Sequence, residues 1–201
     1  MKDVYFDFGC FATILSAVVE SYPKETYGFV GGEDTKKRVN LKMSPPLQSA
    51  IKTNTSVEFK DKKRYEEAKG VIDALGLTIV GGFHSHPKGI AYPSEQDKIS
   101  AGFENLNKKL DPNYPFMDKW LEIVVGLHKK KYMKNFKPTA TLDYSSKKIE
   151  GRLKIQSNGY DFEMIGFWVN LDEITDSEFY TTLEVANLNI TPDSFPKTWE
   201  L

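Results

Sequence analysis

One stretch constrains this chain more than any other: residues 77–97, L-T-I-V-G-G-F-H-S-H-P-K-G-I-A-Y-P-S-E-Q-D. Leu77-Thr78-Ile79-Val80 is a short apolar, β-branched run, the pattern of a buried strand. Side chains on a strand alternate faces, so positions i and i+2 point the same way. Two of the chain's three histidines, His84 and His86, therefore share one side of a strand end, where two ring nitrogens can converge. Pro87, Gly89 and Pro93 break the chain into a loop. Ser94-Glu95-Gln96-Asp97 then reads as a helix start, with Ser94 at the N-cap and an acid three residues on. A turn after the strand can return Asp97 to the histidines. Two imidazoles and a carboxylate are the ligand set of a catalytic zinc, whose fourth position is left to water. Spacing alone leaves blander alternatives open: an H-x-H is often only a hydrogen-bonded pair, and Ser94 with Asp97 only a cap.

Taken together, His84-Ser85-His86, seven residues, Ser94, two residues and Asp97 resemble the complete signature of the JAMM (MPN+) zinc metalloproteases. These are isopeptidases that remove ubiquitin or ubiquitin-like proteins. The surroundings match as well, with G-G-F-H-S-H-P on the strand and P-S-x-x-D after the loop. The family also places a glutamate far upstream, at the start of a strand ending in glycine. Pro23-Lys24-Glu25-Thr26-Tyr27-Gly28-Phe29-Val30-Gly31-Gly32 looks like that segment.

A hydrolase of this kind needs a carboxylate beside the metal to take a proton from water and deliver it to the departing amine. From the residues alone Glu20, Glu25, Glu33 and Glu95 are all candidates; the resemblance selects Glu25. It further implies Zn2+ on His84, His86 and Asp97, and a role for Ser94 in stabilising the oxyanion, beside its cap. The implied substrate is the extended C-terminal tail of a ubiquitin-like protein, lying in a groove walled by residues 44–55 and by Gly89-Ile90-Ala91-Tyr92. The compact chain looks more like prokaryotic members than the large eukaryotic assemblies. Two alternatives stand beside it: a catalytically silent MPN scaffold, and a metal-dependent hydrolase of a sulfur-carrier protein or short peptide. Zinc-dependent nucleobase deamination needs H-x-E and P-C-x-x-C, which one cysteine cannot supply.

Periodicity predicts a mixed α/β (α+β) domain, a largely antiparallel sheet with helices on its faces; the resemblance implies a cytidine-deaminase-like MPN/JAMM fold. Strands are expected over residues 2–7, 25–32, 38–43, 56–59, 121–127 and 139–144. Residues 153–156 and 160–169 flank Ser157-Asn158-Gly159, a hairpin signal. Helices are expected over 8–21 with Asp7 as cap, over 61–75 with Gly76 as stop, and over 95–110. The apolar face of the second should be Tyr65, Ala68, Val71, Ile72 and Leu75. The resemblance covers roughly residues 2–169, the expected metalloprotease domain. Residues 170–201 are expected to be a C-terminal extension packed on that domain, anchored by Phe179, Tyr180, Phe195 and Trp199.

Charges nearly cancel, 27 basic against 28 acidic, so no bulk field argues for nucleic acid or an anionic membrane. The basic run after His128 reads as a solvated loop, and His128 as a solvated strand end rather than a further ligand. The apolar stretch 8–19 is too short to span a bilayer. Its single cysteine, Cys10, suits a reducing cytoplasm and a buried position rather than a reactive thiol.

Overall fold

A computed structural model describes residues 2–47, 51–52, 57–58, 62–94, 97, 119–129, 139–143, 152–157, 159–170 and 183–191. The elements in chain order are β1 (Asp3–Phe6), α1 (Phe8–Ser21), β2 (Tyr27–Asp34), β3 (Arg38–Met43), β4 (Ile51–Lys52), β5 (Val57–Glu58), α2 (Lys62–Ala74), β6 (Thr78–Pro87), β7 (Lys119–Lys129), β8 (Thr139–Asp143), β9 (Arg152–Ser157), β10 (Tyr160–Asn170) and β11 (Leu183–Ile190). The helix expected over 95–110 lies outside the described residues apart from Asp97, which is helical. Phe179, Tyr180, Phe195 and Trp199 lie outside them too.

The main sheet runs β11-β1-β3-β2-β6-β7-β10-β9-β8, and β10 also pairs with β11. That second pairing closes the strands from β11 to β10 into a ring, with β9 and β8 continuing off β10. Closure leaves β11 without the open edge it would have in a flat sheet, whereas the branch still ends on β8. Three pairings are parallel, β1 with β11, β1 with β3, and β6 with β7, and the others are antiparallel. The mixed, mostly antiparallel character matches the expectation; the closure does not follow from periodicity.

The stretch 170–201 needs correcting. Its residues Leu183–Ile190 are a strand of the ring, parallel to β1 and antiparallel to β10, rather than a covering on the surface. Ala186 and Leu188 are wholly buried in the main core. The alternation in L-E-V-A-N-L-N-I is that of a half-buried strand, paired on both sides by distant segments.

The helices sit on opposite faces of the sheet. Cys10, Phe11, Ile14, Ala17 and Val18 of α1 are buried in one cluster with Val4, Val30, Leu41, Phe83, Leu121 and Leu188. Asp7 stands at the N-cap without a side-chain cap bond. The position is the expected one, but its carboxylate pairs with Lys42 at 3.0 Å rather than with a helix N–H. Cys10 is buried as expected, and burial pushes its thiol up to about 12, with Ser44 easing and Asp7 adding to the shift.

On the other face Ile72 of α2 packs with Tyr27, Phe29, Leu47, Ile79 and Trp120. The expected apolar face of this helix is only partly used: Ile72 is buried, whereas Val71 and Leu75 are 60% and 63% exposed. Gly76 ends the helix with φ +72°, as expected. The hairpin signal at 157–159 also holds, since β9 and β10 pair antiparallel around Gly159.

One irregularity decides which way the histidines face. Between β2 and β6 the register slips: Val30 pairs with Gly81 but Gly31 with Ile79. The unpaired residue of this bulge is Val80, so strict alternation breaks there. Val80 and Phe83, three apart, both enter the inner core. Counted by twos from Val80, His84 would also point inward. The bulge turns it to the outer face instead.

Candidate metal centre

His84 and His86 end β6 beside β7 on one side and the start of β2 on the other. Asp97 comes to them from beyond the loop. Its Oδ2 lies 3.2 Å from His86 Nε2 and its Oδ1 3.6 Å from His84 Nε2. The two Nε2 atoms are 3.1 Å apart. One donor atom from each of the three residues falls within 4.8 Å of the others. The residues set apart by spacing thus converge.

Ser94 and Asp97 form a reciprocal cap. The Asp97 N–H donates to Ser94 Oγ at 3.1 Å, while the Ser94 N–H and hydroxyl both donate to Asp97 Oδ2 at 2.6 Å. The cap reading of this pair and its ligand reading are compatible: the bonds between Ser94 and Asp97 also aim the carboxylate at the imidazoles.

Each imidazole is fixed by its other nitrogen. His86 Nδ1 lies 3.2 Å from the Ile90 carbonyl oxygen, which can only accept. His84 Nδ1 lies 2.6 Å from Glu122 Oε1. With both Nδ1 atoms donating outward, two neutral rings would face each other through bare Nε2 lone pairs. That arrangement calls for a cation, a proton or a metal, between them. Two imidazole nitrogens and a carboxylate are a donor set that fits zinc.

The metal-free electrostatics agree. Burial opposes charge on His84, yet its bonds to Asp97 and Glu122 prevail and raise its pKa to about 10. Burial would likewise raise Asp97, but His84, His86 and Ser94 hold it well below the usual carboxylate range.

Glu25 enters through the strand register. Tyr27 pairs with His84, and Ser85 and Thr26 exchange two bonds of 3.0 Å, N–H to Thr26 O and Thr26 N–H to Ser85 Oγ. Continued by two residues, the register sets Glu25 opposite His86, on the face that carries both imidazoles. Burial raises its pKa, while His86 and His84 lower it and Asp97 adds to the rise. Ser85 points the other way, fully buried, and ties the two strands together.

The loop after His86 is folded back on β7. Lys88 adopts φ +64°, its N–H donating to Leu127 O at 2.8 Å, and the Gly89 N–H donates to His86 O at 3.1 Å. Gly126 makes this approach possible: a Cβ there would stand 2.7 Å from Ala91 N and 2.8 Å from Gly89 O. Ala91 is buried with Val124 and Ile165, leaving Ile90 and Tyr92 exposed beside the site. His128 is exposed on β7 and stands apart from the cluster.

The residue that sequence reasoning missed is Glu122. A signal existed: it is the one acid inside L-E-I-V-V-G-L, a run read as a central strand. The Ile90 carbonyl carried no signal, because backbone atoms at a turn have none.

The family of prokaryotic homologues of the JAB domain matches residues 9–128, a span that contains Glu25, His84, His86, Ser94 and Asp97. Among solved structures, the chain is similar to the solution structure of protein DSY2949 from Desulfitobacterium hafniense. The TM-score is 0.56 at 14% identity, covering 94% of this chain and 92% of that one, a likeness of fold. No curated protein matches. No helix among the described residues is long and apolar enough to cross a membrane.

Proposed function

This chain belongs to the family of prokaryotic homologues of the JAB domain, and on that premise we propose that it is a zinc-dependent isopeptidase or peptidase of the cytoplasm. Its substrate is the amide bond that follows the C-terminal tail of a ubiquitin-like protein. The observation that carries this is the convergence of His84, His86 and Asp97, with Glu25 set opposite His86. The cytidine-deaminase-like arrangement of the wider family is part of the same reading.

When bound, zinc supplies a Lewis acid that brings the pKa of water toward ~7 and polarises the scissile carbonyl. Glu25 takes the proton from the attacking water and passes it to the departing amine. Burial raises its pKa, a direction that favours taking up a proton. Asp97 and the two Nε2 atoms hold the metal, while Glu122 and the Ile90 carbonyl orient the rings. Ser94 aims Asp97 through its hydroxyl bond to Oδ2; turned from Oδ2, that hydroxyl stabilises the oxyanion. The exposed Ile90 and Tyr92 form one wall of the groove for an extended tail.

The test is cleavage of isopeptide-linked and linear ubiquitin-like fusions with and without a chelator. Hydrolysis should stop on chelation and return with zinc. Glu25→Gln should keep fold and zinc yet lose about 10²–10⁴-fold in turnover. Turnover that survives the chelator sinks the proposal. Stoichiometric zinc without hydrolysis of any fusion favours a metal-dependent hydrolase of a sulfur-carrier protein or short peptide; a chain that takes up no zinc favours the scaffold reading.

A further inference from the structure

On one face of β7, Trp120 and Glu122 stand two residues apart. The parallel register pairs Glu122 with Gly82 and Val124 with His84, so the glutamate reaches one step along the strand to meet the ring. It is largely buried, with 13% of its side chain exposed. Its Oε1 takes the His84 Nδ1–H at 2.6 Å and its Oε2 takes the Trp120 indole N–H at 3.0 Å. We propose that Glu122, clamped by Trp120, is a positioning residue that fixes the His84 tautomer and thereby sets how tightly the centre holds its metal. This rests on His84, His86 and Asp97 being metal ligands, as proposed above.

The argument is one of donors and acceptors. An indole N–H can only donate, and a carboxylate offers two acceptor oxygens. Glu122 therefore satisfies both neighbours only when His84 carries its proton on Nδ1, which leaves the Nε2 lone pair toward His86 and Asp97. A carboxamide has one acceptor and cannot serve both. If the Gln oxygen stays on Trp120, its amide NH2 faces His84. The ring must then accept at Nδ1 and place its proton on Nε2, which removes it as a ligand. If the oxygen turns to His84, the buried indole N–H loses its acceptor, at a cost. His86 differs, because its Nδ1 is held by the Ile90 backbone carbonyl, which a substitution of the Ile90 side chain leaves in the chain.

The experiment titrates Zn2+ into the metal-stripped full chain against a chromophoric chelator, and records the visible spectrum of the Co2+ form. Glu122→Gln should bind zinc about 10–100-fold more weakly than wild type and shift the cobalt bands. Glu122→Asp, which keeps two acceptor oxygens, should recover part of that loss. Wild-type affinity and an unchanged cobalt spectrum in Glu122→Gln overturn the proposal while leaving the metal centre standing. A wild-type chain that takes up neither ion overturns the metal centre and this proposal with it. Circular dichroism checks each fold; should Glu122→Gln not fold, Trp120→Phe decides. Removing the indole N–H should weaken zinc binding in the same direction, and unchanged affinity and cobalt bands there count against the clamp.

Discussion

If the proposed centre holds zinc, the metal competes with a proton for one place, His84 Nε2. In the metal-free chain Asp97 and Glu122 hold the His84 imidazole protonated despite its burial, with a pKa of about 10 against an ordinary 6.5. A ligating imidazole must be neutral at the metal-facing nitrogen. At pH 7 the metal therefore displaces a proton from a group whose pKa lies about 3 units higher, at 1.36 kcal/mol per unit a cost on the order of 4 kcal/mol. Apparent zinc affinity should rise about tenfold per pH unit as pH climbs toward about 10, where the gain levels off. Asp97 is held far below its ordinary value, so it stays charged throughout and adds no slope. Chelator competition at several values between roughly pH 6.5 and 8.5 reads the slope. Calorimetry in buffers of different protonation enthalpy counts the released proton. The same raised pKa stabilises the metal-free fold: the contribution is full below pH 6.5 and lost as pH rises through about 10. A flat affinity profile with no proton released would refute this account of the site.

Further predictions concern the supports of the site. Ser94→Ala removes the acceptor of the Asp97 N–H and should cost about 1 kcal/mol in thermal or denaturant unfolding. It should also weaken zinc binding, because Asp97 Oδ2 loses the Ser94 hydroxyl and, of the donors at residue 94, keeps only the backbone N–H. Gly126→Ala sets a Cβ against Ala91 N and Gly89 O and should destabilise by ~1–3 kcal/mol. By displacing the Ile90 carbonyl it should lower metal affinity too; unchanged zinc titration would detach that loop from the centre. Leu188→Ala, in the wholly buried part of β11, should cost ~2–5 kcal/mol in a urea titration. A loss of a few tenths would mean that β11 is no part of the core.

The candidate centre was legible because its chemistry is written in side chains at short spacing. His84, His86, Ser94 and Asp97 fall within fourteen consecutive positions counting outward from residue 84 to 97. Loop punctuation by Pro87, Gly89 and Pro93 makes their return to one another readable. Glu25 was different. Four glutamates fitted the chemistry, and only resemblance chose among them before the β2–β6 register set Glu25 opposite His86. Glu122 stayed hidden because its role depends on which strand lies beside β6, and strand neighbours separated by unrelated sequence leave no local trace.

By itself the sequence determined most of the elements up to β10 and the types of side chain at the candidate centre. Periods of two and of about 3.6, and the turn residues between them, are local properties that survive without tertiary context. Three things belonged to the tertiary structure alone. The bulge at Val80 turned the imidazoles outward, although strict alternation from that residue points them into the core. The strand at Leu183–Ile190 closed the sheet because β1 and β10 each offered it an edge. The Glu122–Trp120 pair met His84 because β6 and β7 run parallel in one register. Each is a matter of hydrogen-bond pairing between remote segments, settled by packing the whole chain at once.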